Sequence, residues 1–362
     1  MPAPFPNPRE GKPVARHPSG FPLFYDGHRR PRIVTADPWA LMRRLVARRL
    51  LRRSRRGALA FIDQAFELYE AATNPHLRSK PLLYYYSFLN LAKAALLLRG
   101  VPLPPVVNHG IKDPGANARK RLRLAGQRVL MFSRSAKHDQ VFSEFVALLG
   151  GDSSQKREFR VVDLLGQMPS IHRCFCEIAE TTCRFAPISS MQVLRGGREI
   201  WARITLKKTD ADVATSFPDL QRKAAFRTVM RQVAAQKPDE IWLETGAVDA
   251  PTNRTDWAIG QLAETLRTVG MWPILTGRGY LYYLAAVESK KILPSLASLY
   301  AVMFYLGSVT RYKPHDFDSM AGEARYGWLI SEFVAIQPAQ FLYGLASVLA
   351  GVDVVRPYAL LD

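Results

Sequence analysis

The sequence predicts an α+β protein in which helices from both ends of the chain form a bundle and a sheet-containing region lies between them. Apolar residues recur at helical spacing in the first 150 residues and again after Pro294, whereas strand-like runs alternate with turns from about Phe159 to Val287. A chain of 362 residues, 48% of them hydrophobic, can bury a large core, which excludes a disordered or fibrous protein. We therefore predict four regions: an extended proline-rich arm (1–36), a basic helical region (37–150), a mixed α/β middle region (151–290) and a C-terminal helical region (291–362) that packs on the N-terminal helices.

The first elements follow from local signals. Seven prolines between Met1 and Pro22, with no apolar periodicity, predict the extended arm. Asp37 and Pro38 are typical of a helix start, since Asp suits the N-cap and Pro the first helical position. The helix that starts there is predicted to run to about Arg53. Further helices are predicted from about Gly57 to Ala72, from Pro81 to Leu98, and from about Asp139 to Leu149, with a strand at Arg128–Phe132.

The middle region is predicted to contain strands, because apolar and polar residues alternate over short runs. Two of these runs flank Gly196-Gly197, a pair that favours a hairpin turn. The predicted strands are Met191–Leu194, Glu199–Leu206, Ile241–Glu244, Trp272–Leu275 and Tyr280–Val287. The predicted helices are Leu220–Ala235, followed in the C-terminal region by Ser295–Thr310, Glu323–Ala335 and Pro338–Ala350.

Positive charge is concentrated in the first part of the chain. Residues 1–150 carry 26 basic and 9 acidic side chains, a net +17, whereas the remaining residues carry only +2. Such asymmetry favours an acidic partner such as RNA or DNA, or an anionic membrane surface. Two clusters are the candidate nucleic-acid-binding residues: Arg43, Arg44, Arg48, Arg49, Arg52, Arg53, Arg55 and Arg56, then Arg119, Lys120, Arg121 and Arg123. The alternative interpretation is a solvated basic face.

Cysteine content and targeting signals predict a cytoplasmic protein. Three cysteines are too few for a disulfide scaffold, and no signal peptide opens the sequence. Ile292–Thr310 is 19 residues without a charge, but Pro294 and several polar residues interrupt it, so we predict a buried core helix and no membrane partner.

One segment of the sequence contains residue types that suit a zinc site. His172, Cys174, Cys176 and Cys183 are suitable ligand types, but a Cys-x-Cys pair on a helix directs its thiols to different faces. Our prediction is therefore no metal and no cofactor, with unpaired cysteines buried in a helix near Ile171–Glu180. The acid pairs Asp239-Glu240 and Glu244 with Asp249 are a weaker alternative, a metal-dependent nuclease.

Several blocks of sequence, in order, resemble the bacterial YaaC-like family. The blocks span about residues 38–358, and the family is itself poorly characterised, so the resemblance implies a fold rather than an activity. The matching blocks are Lys80–Lys93, Asn108–Gly110, Arg119–Arg121, Tyr305–Pro314, Trp328–Phe333, Gln340–Tyr343 and Arg356-Pro357.

The run from Tyr84 to Gly100 is also similar to the core helix of the HEPN superfamily, which includes ribonuclease toxins and phage-defence proteins. This resemblance implies a metal-independent ribonuclease with an Arg and a His separated by four to six residues. Arg134 and His138, like Arg311 and His315, are separated by three. The candidate catalytic residues are therefore His109, Arg311 and His315, brought together from separate segments; the alternative is that Arg311 and Tyr312 only cap the preceding helix.

The sequence leads us to expect a cytoplasmic bacterial nucleic-acid-associated protein with a role in phage defence, which binds the phosphate backbone through its Arg-rich helix. Two alternatives stay open. One is a non-enzymatic assembly protein whose basic region docks an acidic protein partner or a second copy of the chain. The other is the HEPN-like ribonuclease.

Overall fold

The computed structural model describes residues 5–15, 32–73, 76–103, 108–115, 123–134, 140–251, 254–276, 279–286 and 293–357. The chain forms two compact units. The sheet unit consists of residues 1–36, 181–291 and 350–362, and the helical unit of residues 37–180 and 292–349. The predicted α+β class is confirmed.

The described residues form the following elements, numbered along the chain. The helices are α1 (Pro38–Arg49), α2 (Arg52–Ala71), α3 (Lys80–Leu98), α4 (Val141–Leu148), α5 (Val161–Gly166), α6 (His172–Ala179), α7 (Ala211–Arg222), α8 (Ala224–Val229), α9 (Thr255–Thr268), α10 (Ser295–Tyr312), α11 (Pro314–Ala321) and α12 (Gly327–Ala350). The strands are β1 (Lys12–Ala15), β2 (Arg32–Val34), β3 (Ile111–Lys112), β4 (Arg128–Met131), β5 (Arg157–Arg160), β6 (Phe185–Pro187), β7 (Ser190–Gly196), β8 (Glu199–Lys207), β9 (Met230–Val233), β10 (Glu240–Thr245), β11 (Val248–Asp249), β12 (Met271–Thr276), β13 (Gly279–Ala285) and β14 (Asp353–Val355).

Helix α3 is the centre of the helical unit, as its apolar residues on all sides predict. It packs against α2 and α10, and twelve of its side chains are buried. The rings of Phe88 and Phe341 stack with centroids 3.9 Å apart, which joins α3 to α12. Gly307 lets α10 approach α3 closely, because a Cβ there would lie 3.2 Å from the carbonyl oxygen of Pro81. A small antiparallel sheet in the order β3-β4-β5 completes the unit.

Two helix boundaries in this unit differ from prediction. The first helix ends at Arg49 instead of continuing to Arg53, because Leu50 and Leu51 are extended and the Arg55 guanidinium donates to the Leu50 carbonyl. The two helices predicted at the C-terminal end are one, since α12 continues through Pro338. Proline removes one N–H from the helix, but fully buried Phe333 and Phe341 on either side keep the helix in the core.

The main sheet of the sheet unit has the order β1-β7-β8-β10-β9, with β11 paired to β8. The predicted β7–β8 hairpin is confirmed, and Gly197 in its turn has φ +60. One face of β8 presents Ile200, Ala202 and Ile204 to the core of the unit. A second sheet has the order β12-β13-β6, and β14 pairs with β2 in parallel.

The predicted helix over Leu220–Ala235 is wrong. Helix α7 ends at Arg222, Lys223 is extended, α8 is short, and β9 then pairs antiparallel with β10. Hydrogen bonding to β10 therefore overrides the local helical pattern over the last residues of this stretch.

The described helices differ in whether they could cross a membrane. One of them, α12, is long and apolar enough to cross a membrane, and 78% of its most apolar window is buried inside the fold.

Candidate functional site

Four exposed arginines form what we call the arginine surface: Arg44, Arg48, Arg52 and Arg56. The first two lie one turn apart on α1 and the last two lie one turn apart on α2, so each pair shares a helix face. None of the four has a hydrogen-bond or ion-pair partner among the described residues. Two pairs of cationic side chains, one on each side of the junction between α1 and α2, are therefore exposed without a carboxylate partner in the described part of the chain.

Three neighbouring arginines have structural contacts instead. Arg43 pairs with Asp63 at 2.8 Å and lies over the ring of Phe66. The guanidinium of Arg49 donates to the carbonyl oxygen of Leu349 at 2.7 Å. Arg55 holds the Leu50 carbonyl, as described above. The side chain of Arg53 lies outside the described residues.

The second predicted basic cluster is mostly outside the described part of the chain. Arg119, Lys120 and Arg121 all fall there. Arg123 is exposed, immediately before a single 3-10 turn that begins at Leu124.

The loop that carries His109 is held on both sides by backbone hydrogen bonds. Phe142 N–H donates to the His109 carbonyl at 3.0 Å, and Phe132 N–H donates to the Gly110 carbonyl at 3.1 Å. Gly110 has φ +76, and a Cβ there would lie 2.9 Å from the backbone nitrogen of Phe142. The Asn108-His109-Gly110 block thus needs its glycine to bring the histidine close to α4.

His109 is hydrogen-bonded through Nδ1 to the phenol of Tyr85 on α3. Burial lowers the pKa of His109, and the positive charges of Lys93 and Arg311 lower it further. Burial raises the pKa of Tyr85, so the phenol keeps its proton. A phenol can both donate and accept, so the neutral imidazole can meet Tyr85 in either tautomer; when Nδ1 carries the proton, Nε2 keeps a free lone pair.

Arg311 belongs to the same neighbourhood, on the last turn of α10. Its guanidinium donates to the Tyr86 hydroxyl at 2.6 Å and lies over the ring of Tyr312. The rings of Tyr85 and Tyr86 are 5.0 Å apart, so the contacts of His109 and Arg311 adjoin. We call Tyr85, Tyr86, His109 and Arg311 the tyrosine–histidine cluster.

The remaining candidate, His315, lies exposed on α11. No contact within the described residues joins it to His109 or Arg311. The alternative role for Arg311 and Tyr312 was to cap α10. The residue at the C-cap is Lys313, whose N–H donates to the carbonyl of Val309, while the side chain of Arg311 donates to a tyrosine hydroxyl.

The tyrosine–histidine cluster has a definite chemistry. A histidine with a lowered pKa is neutral near pH 7, so it can accept a proton. Lys93 and Arg311 are the charges that act on it, which makes its surroundings favourable for an anion. Lys93 is itself half-buried, and burial lowers its pKa.

The acidic residues considered as metal ligands are paired with cations in the sheet unit. Lys207 binds both Asp239 and Glu240, at 3.2 and 2.7 Å. Glu244 is fully buried and contacts Arg9, Arg203 and Arg231, the closest at 2.7 Å. Asp249 faces Arg198 at 3.7 Å. Within the described residues, no group of three or more metal-ligating side chains is found.

Tyr85, Tyr86 and Lys93 were not predicted as site residues from the sequence. The available signal was the Tyr84-Tyr85-Tyr86 run in a helix that is otherwise apolar. Three consecutive tyrosines on a helix point in three directions, and the tertiary structure decides which of them meets His109.

Fold and site together define a basic α+β protein whose helical unit carries both the arginine surface and the tyrosine–histidine cluster. The family model described as "YaaC-like Protein" matches residues 31–349, and the chain belongs to that family. No curated protein and no solved structure gives a significant match.

Proposed function

We propose that the protein binds the phosphate backbone of a nucleic acid through the arginine surface. The observation that carries the proposal is that Arg44 and Arg48 near the end of α1, and Arg52 and Arg56 at the start of α2, are exposed and without an acidic partner in the described structure. Neighbouring like charges at one-turn spacing repel each other, and a row of phosphates removes that repulsion.

The choice of arginine supports phosphate as the ligand. A guanidinium presents a planar fork of donors that matches two phosphate oxygens, whereas an ammonium does not. All eight basic residues between Arg43 and Arg56 are arginines. Arg43, Arg49 and Arg55 hold the local structure, so the other exposed arginines are available without loss of those contacts.

Fluorescence anisotropy with labelled single- and double-stranded RNA and DNA tests this proposal. We expect wild type to bind at about 50 mM salt and to lose most of its affinity at about 200 mM salt. The variant carries Arg44→Glu, Arg48→Glu, Arg52→Glu and Arg56→Glu. Its affinity should fall by about a hundredfold or more, because each of the four contacts is replaced by a repulsion.

A matched control changes the same net charge on exposed residues of the sheet unit: Arg198→Glu, Lys208→Glu, Arg222→Glu and Arg227→Glu. This control should retain affinity within about threefold of wild type. Equal losses in both variants, or no binding by wild type at the lower salt, would overturn the proposal. The second of those results would favour an acidic protein partner for the arginine surface.

The tyrosine–histidine cluster supports a second candidate, metal-independent cleavage of RNA. The favouring observation is a neutral histidine beside Arg311 in a positively charged neighbourhood. In the tautomer with Nδ1–H donating to the Tyr85 oxygen, Nε2 of His109 would take the proton of a ribose 2′-hydroxyl, the 2′-oxygen would attack phosphorus, and the 5′-oxygen would leave and take up a proton. Arg311 would stabilise the negative charge that builds on the phosphate. A role in phage defence rests on the HEPN resemblance of α3 alone.

This second candidate predicts cleavage of RNA but not of DNA, since DNA has no 2′-hydroxyl. His109→Gln and Arg311→Ala should each lower the cleavage rate by about a hundredfold or more while binding is retained. His315→Gln, at an exposed position without a described contact to the cluster, is the matched control. A cleavage rate that is unchanged in His109→Gln would assign the activity to a contaminant.

A further inference from the structure

Helix α6 contains a cysteine and a histidine whose side chains meet one turn apart. The Sγ atom of Cys176 lies 3.2 Å from Nε2 of His172. On the other side of the ring, Nδ1 of His172 lies 2.9 Å from the carbonyl oxygen of Gly166, the last residue of α5. Thiol, imidazole and carbonyl therefore form a continuous hydrogen-bonded chain.

The carbonyl fixes the protonation of the ring. A carbonyl oxygen can only accept a hydrogen bond, so Nδ1 of His172 must carry a proton and donate it to Gly166. In the neutral imidazole Nε2 then has a lone pair, and that lone pair faces Cys176. This is the arrangement of a nucleophile, a base and a group that orients the base.

The ring is held in place by its neighbours. His172 is 2% exposed, and its ring stacks on Phe175 with centroids 5.9 Å apart. Gly166 makes room for Phe175, because a Cβ there would lie 2.8 Å from that ring. The base is therefore fixed in the interior, while Cys176 itself is partly exposed and can be reached by a small molecule.

The same helix supplies a contrasting cysteine. Cys174 is buried, and burial raises the pKa of its thiol to about 11. A protonated, buried thiol is unreactive. The two cysteines lie two residues apart on one helix, but only Cys176 is partly exposed to solvent and has a histidine within hydrogen-bond distance in the described structure.

We propose that Cys176 is a reactive thiol, with His172 as its general base, and that it is a site of reversible modification by small disulfides. The proton of the thiol passes to Nε2 of His172 as the sulfur attacks one sulfur of the disulfide. The old S–S bond breaks, a new S–S bond forms on Cys176, and the other half leaves as a thiolate that takes up the proton. One disulfide and one thiol are consumed, and one mixed disulfide and one thiol are formed.

The reaction with 4,4′-dithiodipyridine tests the proposal, because each thiol that reacts releases a coloured thione. Rates are measured on the full-length protein from pH 5 to 9, and peptide mapping by mass spectrometry assigns the modified cysteine. An ordinary thiol reacts through its thiolate and reaches half its limiting rate near about pH 8.5. We expect Cys176 to reach half its limiting rate at least about one pH unit lower.

His172→Gln is the decisive variant. Its amide can still donate to the Gly166 carbonyl, but it provides no base, so the midpoint for Cys176 should rise by about one pH unit or more. Cys176→Ser should remove the fast reaction and leave only the slower reactions of the other cysteines. If His172→Gln does not fold, the wild-type pH profile still decides. A wild-type midpoint near 8.5 for Cys176, or a midpoint unchanged in a folded His172→Gln protein, would overturn the proposal.

Discussion

The phenol of Tyr85 and Nδ1 of His109 share a hydrogen bond, which connects the central helix α3 with the loop that leads into β3. Tyr85 is 4% exposed, its ring lies 5.9 Å from that of Tyr300, and its edge contacts Phe304. The histidine is therefore oriented by a tyrosine that is itself fixed by α10. Burial at this position, together with the charges of Lys93 and Arg311, lowers the pKa of His109, so the stability of the helical unit depends on pH.

We expect the unfolding free energy to depend on pH through His109. Its pKa is lowered from 6.5 in the folded protein, so the unfolded chain binds this proton more readily. The contribution to stability is complete above about pH 6.5 and is lost as the pH falls below that value toward the folded pKa. Denaturant titrations at pH 7.5 and 5.5 should therefore show a smaller difference for His109→Gln than for wild type. An equal difference in both proteins would contradict a lowered pKa of His109 in the folded protein.

Gly110→Ala should be far more destabilising than Gly100→Ala. Both glycines have positive φ, +76 and +79, but nothing lies within 4 Å of the Cβ position of Gly100. Backbone strain alone costs about 1 to 2 kcal/mol. At Gly110 the added methyl also meets the backbone nitrogen of Phe142, so we expect a loss of about 3 kcal/mol or more. Denaturant titrations of the two variants measure both values, and equal losses would show that the loop can move away from α4.

Glu244→Gln should destabilise the sheet unit. The carboxylate is fully buried and faces three arginines, so its neutralisation leaves their charges without a counterion at a cost of about 3 kcal/mol. Asp249→Asn is the control, because that carboxylate is 67% exposed and 3.7 Å from Arg198. Its loss should cost less than about 1 kcal/mol. Thermal unfolding of both variants makes the comparison, and a small effect of Glu244→Gln would contradict a closed arginine–carboxylate network.

The salt dependence of nucleic-acid binding should report the number of arginines in contact with phosphate. Each phosphate contact contributes about −0.9 to the slope of log K against log salt on duplex DNA. Arg48→Ala should therefore reduce the magnitude of the slope by about 1 and weaken binding to all sequences alike. An unchanged slope would place Arg48 outside the interface.

The elements that the sequence predicted well are those with strong local signals. Asp37 accepts a hydrogen bond from the N–H of Ala40 at 2.9 Å, as its N-cap position predicts. The Gly196-Gly197 hairpin and the all-round apolar helix α3 are likewise set by residues within a few positions of each other.

Elements that depend on distant contacts were predicted less well. Strand β9 forms because β10 offers it hydrogen bonds, with Arg231 opposite Glu244, and nothing within 220–235 indicates this. The end of α1 depends on the contact of Arg55 with Leu50. His109 was a candidate from its loop motif, but its partner Tyr85 lies 24 residues away and no local pattern joins them.

The arginine surface was predicted only in part for the same reason. A run of eight arginines indicates a basic helix, but not which of them are occupied by contacts within the fold. Arg49 bonds to a residue 300 positions later, which no reading of the run itself can show. The structure therefore identifies Arg44, Arg48, Arg52 and Arg56 as the arginines to replace in a binding test.

The anisotropy titration of wild type against the four-residue glutamate variant of the arginine surface tests the central claim most directly. We predict salt-sensitive binding by wild type and by the control with four changes in the sheet unit, and binding weaker by about a hundredfold or more in the arginine-surface variant. Binding that persists unchanged in a folded arginine-surface variant would contradict it.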